Sequence, residues 1–120
     1  MKISQKGVIL SSMNKLYKIV VYVPLAHGDM LREVMGNAGA GEIGNYSHCT
    51  FSSKGIGRFR PKEGAQPAIG KVGKYEEVEE ERIETVCSGE KLTEVLSAIK
   101  KVHPYEEPAT DVYSLESITI

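Results

Sequence analysis

The chain has 120 residues, with 41% apolar and 26% charged side chains and a formal net charge of −1. This is the composition of one globular domain, able to bury a core of its own, and not that of a disordered segment. The neutral total argues against a general nucleic-acid binder, and no apolar run approaches the ~20 residues of a membrane helix.

The first residues, MKISQKGVILSSM, hold an apolar stretch of only Val8-Ile9-Leu10. A secretory leader needs about 7–15 apolar residues, so a cytoplasmic protein is expected. Met13 resembles a second start, and residues 1–15 are read as an N-terminal extension without fixed structure. A single domain is expected over residues 16–116, followed by a tail at 117–120.

Residues 16–23, LYKIVVYV, are β-branched and aromatic on both faces and predict a central strand, ended by Pro24. Residues 27–38 predict a helix, with Met30, Leu31, Val34, Met35 and Ala38 in one stripe. Gly36 inside it costs about 1 kcal/mol relative to alanine. Gly39 suits a left-handed stop. Residues 46–59 predict a second strand, with Gly55 and Gly57 as bulge or twist points. A loop follows over 60–70, and a third strand over 71–87, of which Lys71 to Glu81 reads as a solvated edge. The two strands form one extended hairpin. A hairpin centre near residue 68 sets Cys49 opposite Cys87, and both thiols are expected to be reduced.

The second helix is predicted from Ser88 as N-cap, with Glu90 in its first turn. Leu92, Val95, Leu96, Ile99 and Val102 form its stripe, and Pro104 ends it. A last strand runs from about Ala109 to Leu115. The order is that of an α+β, ferredoxin-like βαββαβ sandwich: a four-stranded antiparallel sheet with both helices on one face. The opposite face, carrying Val20 and Tyr22, is left to be covered by another subunit.

No catalytic constellation stands out. His27, His48 and His103 lack metal-ligand spacing, so no metal site and no cofactor are expected. The loop His103-Pro104-Tyr105-Glu106-Glu107-Pro108 is the densest group of functional side chains. Its prolines fix the backbone, and it could orient an acid/base pair or bind a hard cation. The alternative is a rigid connector with solvated glutamates. Gly41 and Asn45 lie in a glycine-rich stretch that follows a helix, the wrong polarity for a nucleotide fingerprint, and its glycines read first as turn positions. Arg58 and Arg60 near the hairpin loop could meet an anion or be solvated. Together, His103, Tyr105, Glu106, Glu107, Gly41, Asn45, Arg58 and Arg60 are the candidate ligand-binding residues.

Four stretches, AGAGEIGNYSHCTF (38–51), GIGRFRPKEGAQPAIG (55–70), EEVEEERIETV (76–86) and HPYEEPATDVYSLE (103–116), resemble the domain inserted in the NGG-interacting-factor-like (YqfO-like) family. The likeness is collinear over about residues 16–116. It implies a fold similar to the CutA and PII proteins, in which three subunits pack their sheets together, and hence a homotrimer. The family's two-metal site belongs to a surrounding domain for which 120 residues leave no room, so neither metal nor hydrolase activity is carried over. The expectation is a non-enzymatic oligomeric binding or regulatory module for a small molecule or protein. The alternatives are a small enzyme using the HPYEEP acid/base groups and an accessory partner of a separate dinuclear-metal protein. In the trimer, Tyr105 would bury its ring at a subunit boundary, and His103 would be charged beside Glu106 or Glu107.

Overall fold

The computed structural model describes residues 15–116; the expected N-terminal extension, save Lys15, and the tail at 117–120 lie outside the described residues. Strands β1 (Leu16–Pro24), β2 (Thr50–Phe59), β3 (Glu76–Ser88) and β4 (Thr110–Ser114) form one antiparallel sheet in the order β2-β3-β1-β4. Helix α1 (Gly28–Asn37), entered through a 3-10 turn at Leu25–His27, and helix α2 (Leu92–Val102) pack on one face. This is the expected ferredoxin-like βαββαβ arrangement, with the long β2–β3 hairpin.

The core follows from strand alternation. Ile19, Val21 and Val23 of β1 point to the helices with Ile83 and Cys87 of β3, meeting Leu31 and Met35 of α1 and Val95 and Ile99 of α2. All are buried, and successive strand residues must face opposite ways. Burial pushes the Cys87 thiol pKa upward, leaving it protonated and inert.

Several boundaries differ from the sequence reading, each for a physical reason. Ser88 does not cap α2: it pairs with Leu16 in the ladder and its carbonyl accepts the Lys91 N–H, so the helix starts at Leu92 after a turn at Gly89-Glu90. The Glu-rich stretch is an edge only in part: from Glu80 on it lies between two strands, while Glu76–Glu79 pair with β2 alone. β3 has β2 on one side and β1 on the other, and the edges are β2 and β4. Gly55 and Gly57 form no bulge, because β2 pairs with β3 without interruption from Thr50↔Thr85 to Phe59↔Glu76. That register sets Cys49 level with Val86, one residue from the expected pairing. A one-residue offset puts neighbouring side chains on opposite faces, so Cys49 and Cys87 do not meet, and both thiols are free. Val20, expected on an uncovered face, is fully buried by its own chain, while Tyr22 is half-buried.

The α1–β2 connection is tight. Gly41 has φ of +80°, its N–H donates to Val86 O at 2.7 Å, and its carbonyl accepts the Cys49 N–H at 3.0 Å. Gly36 is tolerated in α1 because the His48 ring lies against it, where a Cβ would stand.

Beyond Glu80, β3 loses β1 as a neighbour and continues with β2 alone. Ile56–Phe59 and Glu76–Glu79 therefore make a two-stranded arm. Such a ribbon is marginal by itself, and what holds its base is the turn after α2.

Candidate functional site

Pro104 forces His103 into extended backbone (φ −65°, ψ 134°), ending α2 and turning the chain across the sheet face that carries no helices. The His103 ring enters the body of the protein. Its Nε2 donates to the Tyr22 carbonyl at 2.7 Å, and its Nδ1 accepts the Tyr105 N–H at 3.1 Å. An acceptor at Nδ1 and a donor at Nε2 define the neutral tautomer. Burial lowers the His103 pKa, outweighing the pull of the Tyr22 carbonyl and of Glu80. The expected charged imidazole beside Glu106 or Glu107 is thus corrected: both ring nitrogens serve the backbone, and neither is free for proton transfer.

Tyr105 is half-buried against its own chain. It meets Phe59 edge to face, with centroids 5.8 Å apart, and its hydroxyl donates to Glu80 Oε2 at 2.7 Å. Burial, then the bond to Glu80, push the phenol pKa well above its ordinary value, so it stays a donor. Glu106 is exposed, and its Oε1 accepts the Gln66 N–H at 3.1 Å, tying the turn to the hairpin loop. Glu107 is exposed.

Between the turn, the hairpin loop and the sheet lies an open hollow of ≈380 Å³. Its apolar walls include Tyr22, Phe59, Pro67, Ile69 and Tyr105, and its polar side chains are Arg58, Arg60, Glu80, Glu106 and Glu107. The structure therefore gathers Tyr105, Glu106, Glu107, Arg58 and Arg60 around one cavity, with His103 behind Tyr105. Arg58 pairs with Glu77 at 3.0 Å, and the Arg60 guanidinium lies 5.3 Å over the Tyr75 ring. Gly41 and Asn45 stand apart at the α1–β2 connection and do not line it.

Tyr22, Phe59 and Glu80 were missing from the sequence-based site. The signal available for Glu80 was its place opposite Gly55 in the hairpin, with Gly57 two residues on, where absent side chains leave room for a buried acid. Among the described residues no three His, Cys, Asp or Glu side chains come together as a metal cage, and no helix is long and apolar enough to cross a membrane.

No family model matches the chain. The GTP cyclohydrolase 1 type 2 homolog of Halalkalibacterium halodurans is 57% identical over 100 residues, which cover 83% of this chain and 27% of that protein. The crystal structure of a Bacillus cereus protein related to NIF3 superposes with a TM-score of 0.76 at 48% identity, over 87% of this chain and 26% of that one. The periplasmic divalent cation tolerance protein CutA from Archaeoglobus fulgidus superposes with a TM-score of 0.63 at 18% identity, over 87% of each chain, a likeness of fold alone. The chain thus spans about a quarter of the length of its curated relatives.

Proposed function

Since the chain matches the NGG-interacting-factor-like family through one CutA-like domain of it, we propose that it is a non-enzymatic, oligomeric binding module whose small-molecule site is the hollow beneath the HPYEEP turn. The observation that carries this reading is the way the hollow is built. Its volume lies in the range of small-molecule sites, roughly 300–1,000 Å³, and its walls come from two loops joined by the Glu106–Gln66 bond. A ligand seated there contacts the sheet, the turn and the arm at once, so binding stiffens the arm relative to the domain.

The neutral, doubly bonded His103 argues against acid/base catalysis by this loop. Sheet-to-sheet packing as a homotrimer is supported by the likeness to CutA and by Phe51 and Tyr113, exposed on the sheet face opposite the helices. The cytoplasmic setting rests on the sequence reading, and cell fractionation checks it.

The test is a thermal-shift screen of nucleotides, metals and common metabolites. A ligand of the native state raises the melting temperature by mass action. A hit that stabilises the wild type and loses its effect in Tyr105→Ala supports the site. A screen without hits, or hits indifferent to Tyr105, refutes it. Light scattering that finds only monomer at micromolar concentration refutes the trimer.

A further inference from the structure

Glu80 is the most buried polar side chain of the hollow. It is only 8% exposed and sits where the three-stranded sheet gives way to the two-stranded arm. An ionised carboxylate offers about four acceptor positions. Among the described residues, one is filled, by the Tyr105 hydroxyl at 2.7 Å, and no ion pair reaches Glu80. Buried carboxylates ordinarily have a cation or several donors, because desolvation otherwise disfavours them.

No nearby cation pairs with Glu80, although Lys54 and Arg82 line the second hollow beside it and the buried Arg82 Nε has no partner among the described residues. Arg58 pairs with Glu77, Arg60 lies over Tyr75, and Arg82 pairs with Glu84 at 2.9 Å. Glycine makes the space: a Cβ at Gly57 would overlap the Glu80 carboxylate, and Gly55 opens onto nothing. A second hollow of ≈300 Å³ shares Tyr22, Gly57 and Glu80 with the first. The carboxylate therefore borders both. Around it stand Tyr22, Phe59 and Tyr105, whose ring faces attract positive charge.

We propose that Glu80 is the anchor for a flat organic cation, an amidinium, guanidinium or protonated amino-heterocycle, whose apolar body lies among Tyr22, Phe59 and Tyr105. The proposal rests on the hollow being the ligand site and adds the charge class of its ligand. A metal ion fits less well, because one carboxylate does not supply the several oxygen ligands that a hard cation requires. An anion would meet an uncompensated acid in the wall.

The experiment uses the full chain and three probes of one shape: benzamidine, benzamide and benzoate. Each is titrated at millimolar concentration, as suits fragments of this size, and followed by thermal shift and by amide chemical shifts. Benzamidine is expected to stabilise the protein and to move the signals of Gly57, Tyr105 and Gln66, with benzamide weaker and benzoate inert. Glu80→Gln should bind benzamidine roughly tenfold or more weakly, the loss expected for a charge-assisted bond. Tyr105→Phe controls for folding: it frees the second carboxylate oxygen, so it should melt earlier yet bind benzamidine at least as tightly as the wild type. Benzoate matching benzamidine, Glu80→Gln binding as the wild type does, or Tyr105→Phe losing benzamidine would each overturn the proposal. If benzamidine fails while another compound moves the same signals, the charge class is wrong and the hollow stands as the site. If no compound moves them, both fall.

Discussion

The two faces of the sheet solve different problems. On the helix side, Ile19, Val21, Val23, Ile83, Val95 and Ile99 form a dry core in which each side chain is covered by apolar neighbours. On the other side, at the base of the arm, a buried acid and a phenol share one hydrogen bond beside an open hollow, and a neutral imidazole behind the phenol is held by two. The first arrangement contributes stability and has no unused bonding capacity. The second leaves acceptors and aromatic faces unoccupied within one chain. A stable fold needs the first, and ligand recognition needs the second, so substitutions on the two sides should separate stability from binding.

The largest effect should come from the core. Ile83→Ala leaves a cavity and should cost about 2–5 kcal/mol, read by urea denaturation, while ligand affinity of the folded fraction stays unchanged. Affinity falling with stability would show that the two faces are coupled. Gly41→Ala should cost about 1–3 kcal/mol, because a side chain at φ of +80° is strained and the Cys49 backbone already fills the space. It too should leave binding intact.

Tyr105→Phe crosses to the other face. Removing the hydroxyl strips Glu80 of its donor and should cost about 1–3 kcal/mol, less than the core substitution. The pH dependence of His103 is a smaller effect. Its pKa is lower in the folded protein than the ordinary 6.5, so the unfolded state takes up the proton first. The stabilisation is complete above the unfolded value and is lost as pH falls through 6.5 toward the folded one. Between neutral pH and about pH 5, the wild type should therefore lose more stability than His103→Gln; equal losses would show that His103 is already charged in the fold. Smallest is Arg58→Ala. Its ion pair with Glu77 is more than half exposed on both sides, so stability should change by less than about 0.5 kcal/mol.

Much of the helix side was legible in the sequence because it rests on periodicity. The stripe of Leu92, Val95, Leu96 and Ile99 and the apolar run of β1 each carry their burial in their spacing. The site was legible only in part. HPYEEP announced itself by composition, but its partners Tyr22, Phe59 and Glu80 come from three strands and meet only through the hairpin register. That register is fixed by the ladder from Thr50 to Phe59 and not by a tight turn, so a centre guessed one half-step off set Cys49 opposite Cys87, where the ladder sets it level with Val86. Glu80 was hidden among six glutamates between Glu76 and Glu84. Its burial depends on two glycines across the ladder and on a phenol 25 residues further on. The charge of His103 was misjudged for a related reason: adjacency in sequence to Glu106 and Glu107 says nothing of the Tyr22 carbonyl that the ring reaches instead.

The most direct test of the account is an amide chemical-shift map of the protein with whichever compound stabilises it most. The account predicts that perturbations concentrate at Gly57, Phe59, Gln66, Tyr105 and Ala109, around the hollow, and leave the Gly41–Cys49 connection unmoved. Perturbations centred on Gly41 to Cys49, or confined to the helices, would contradict it.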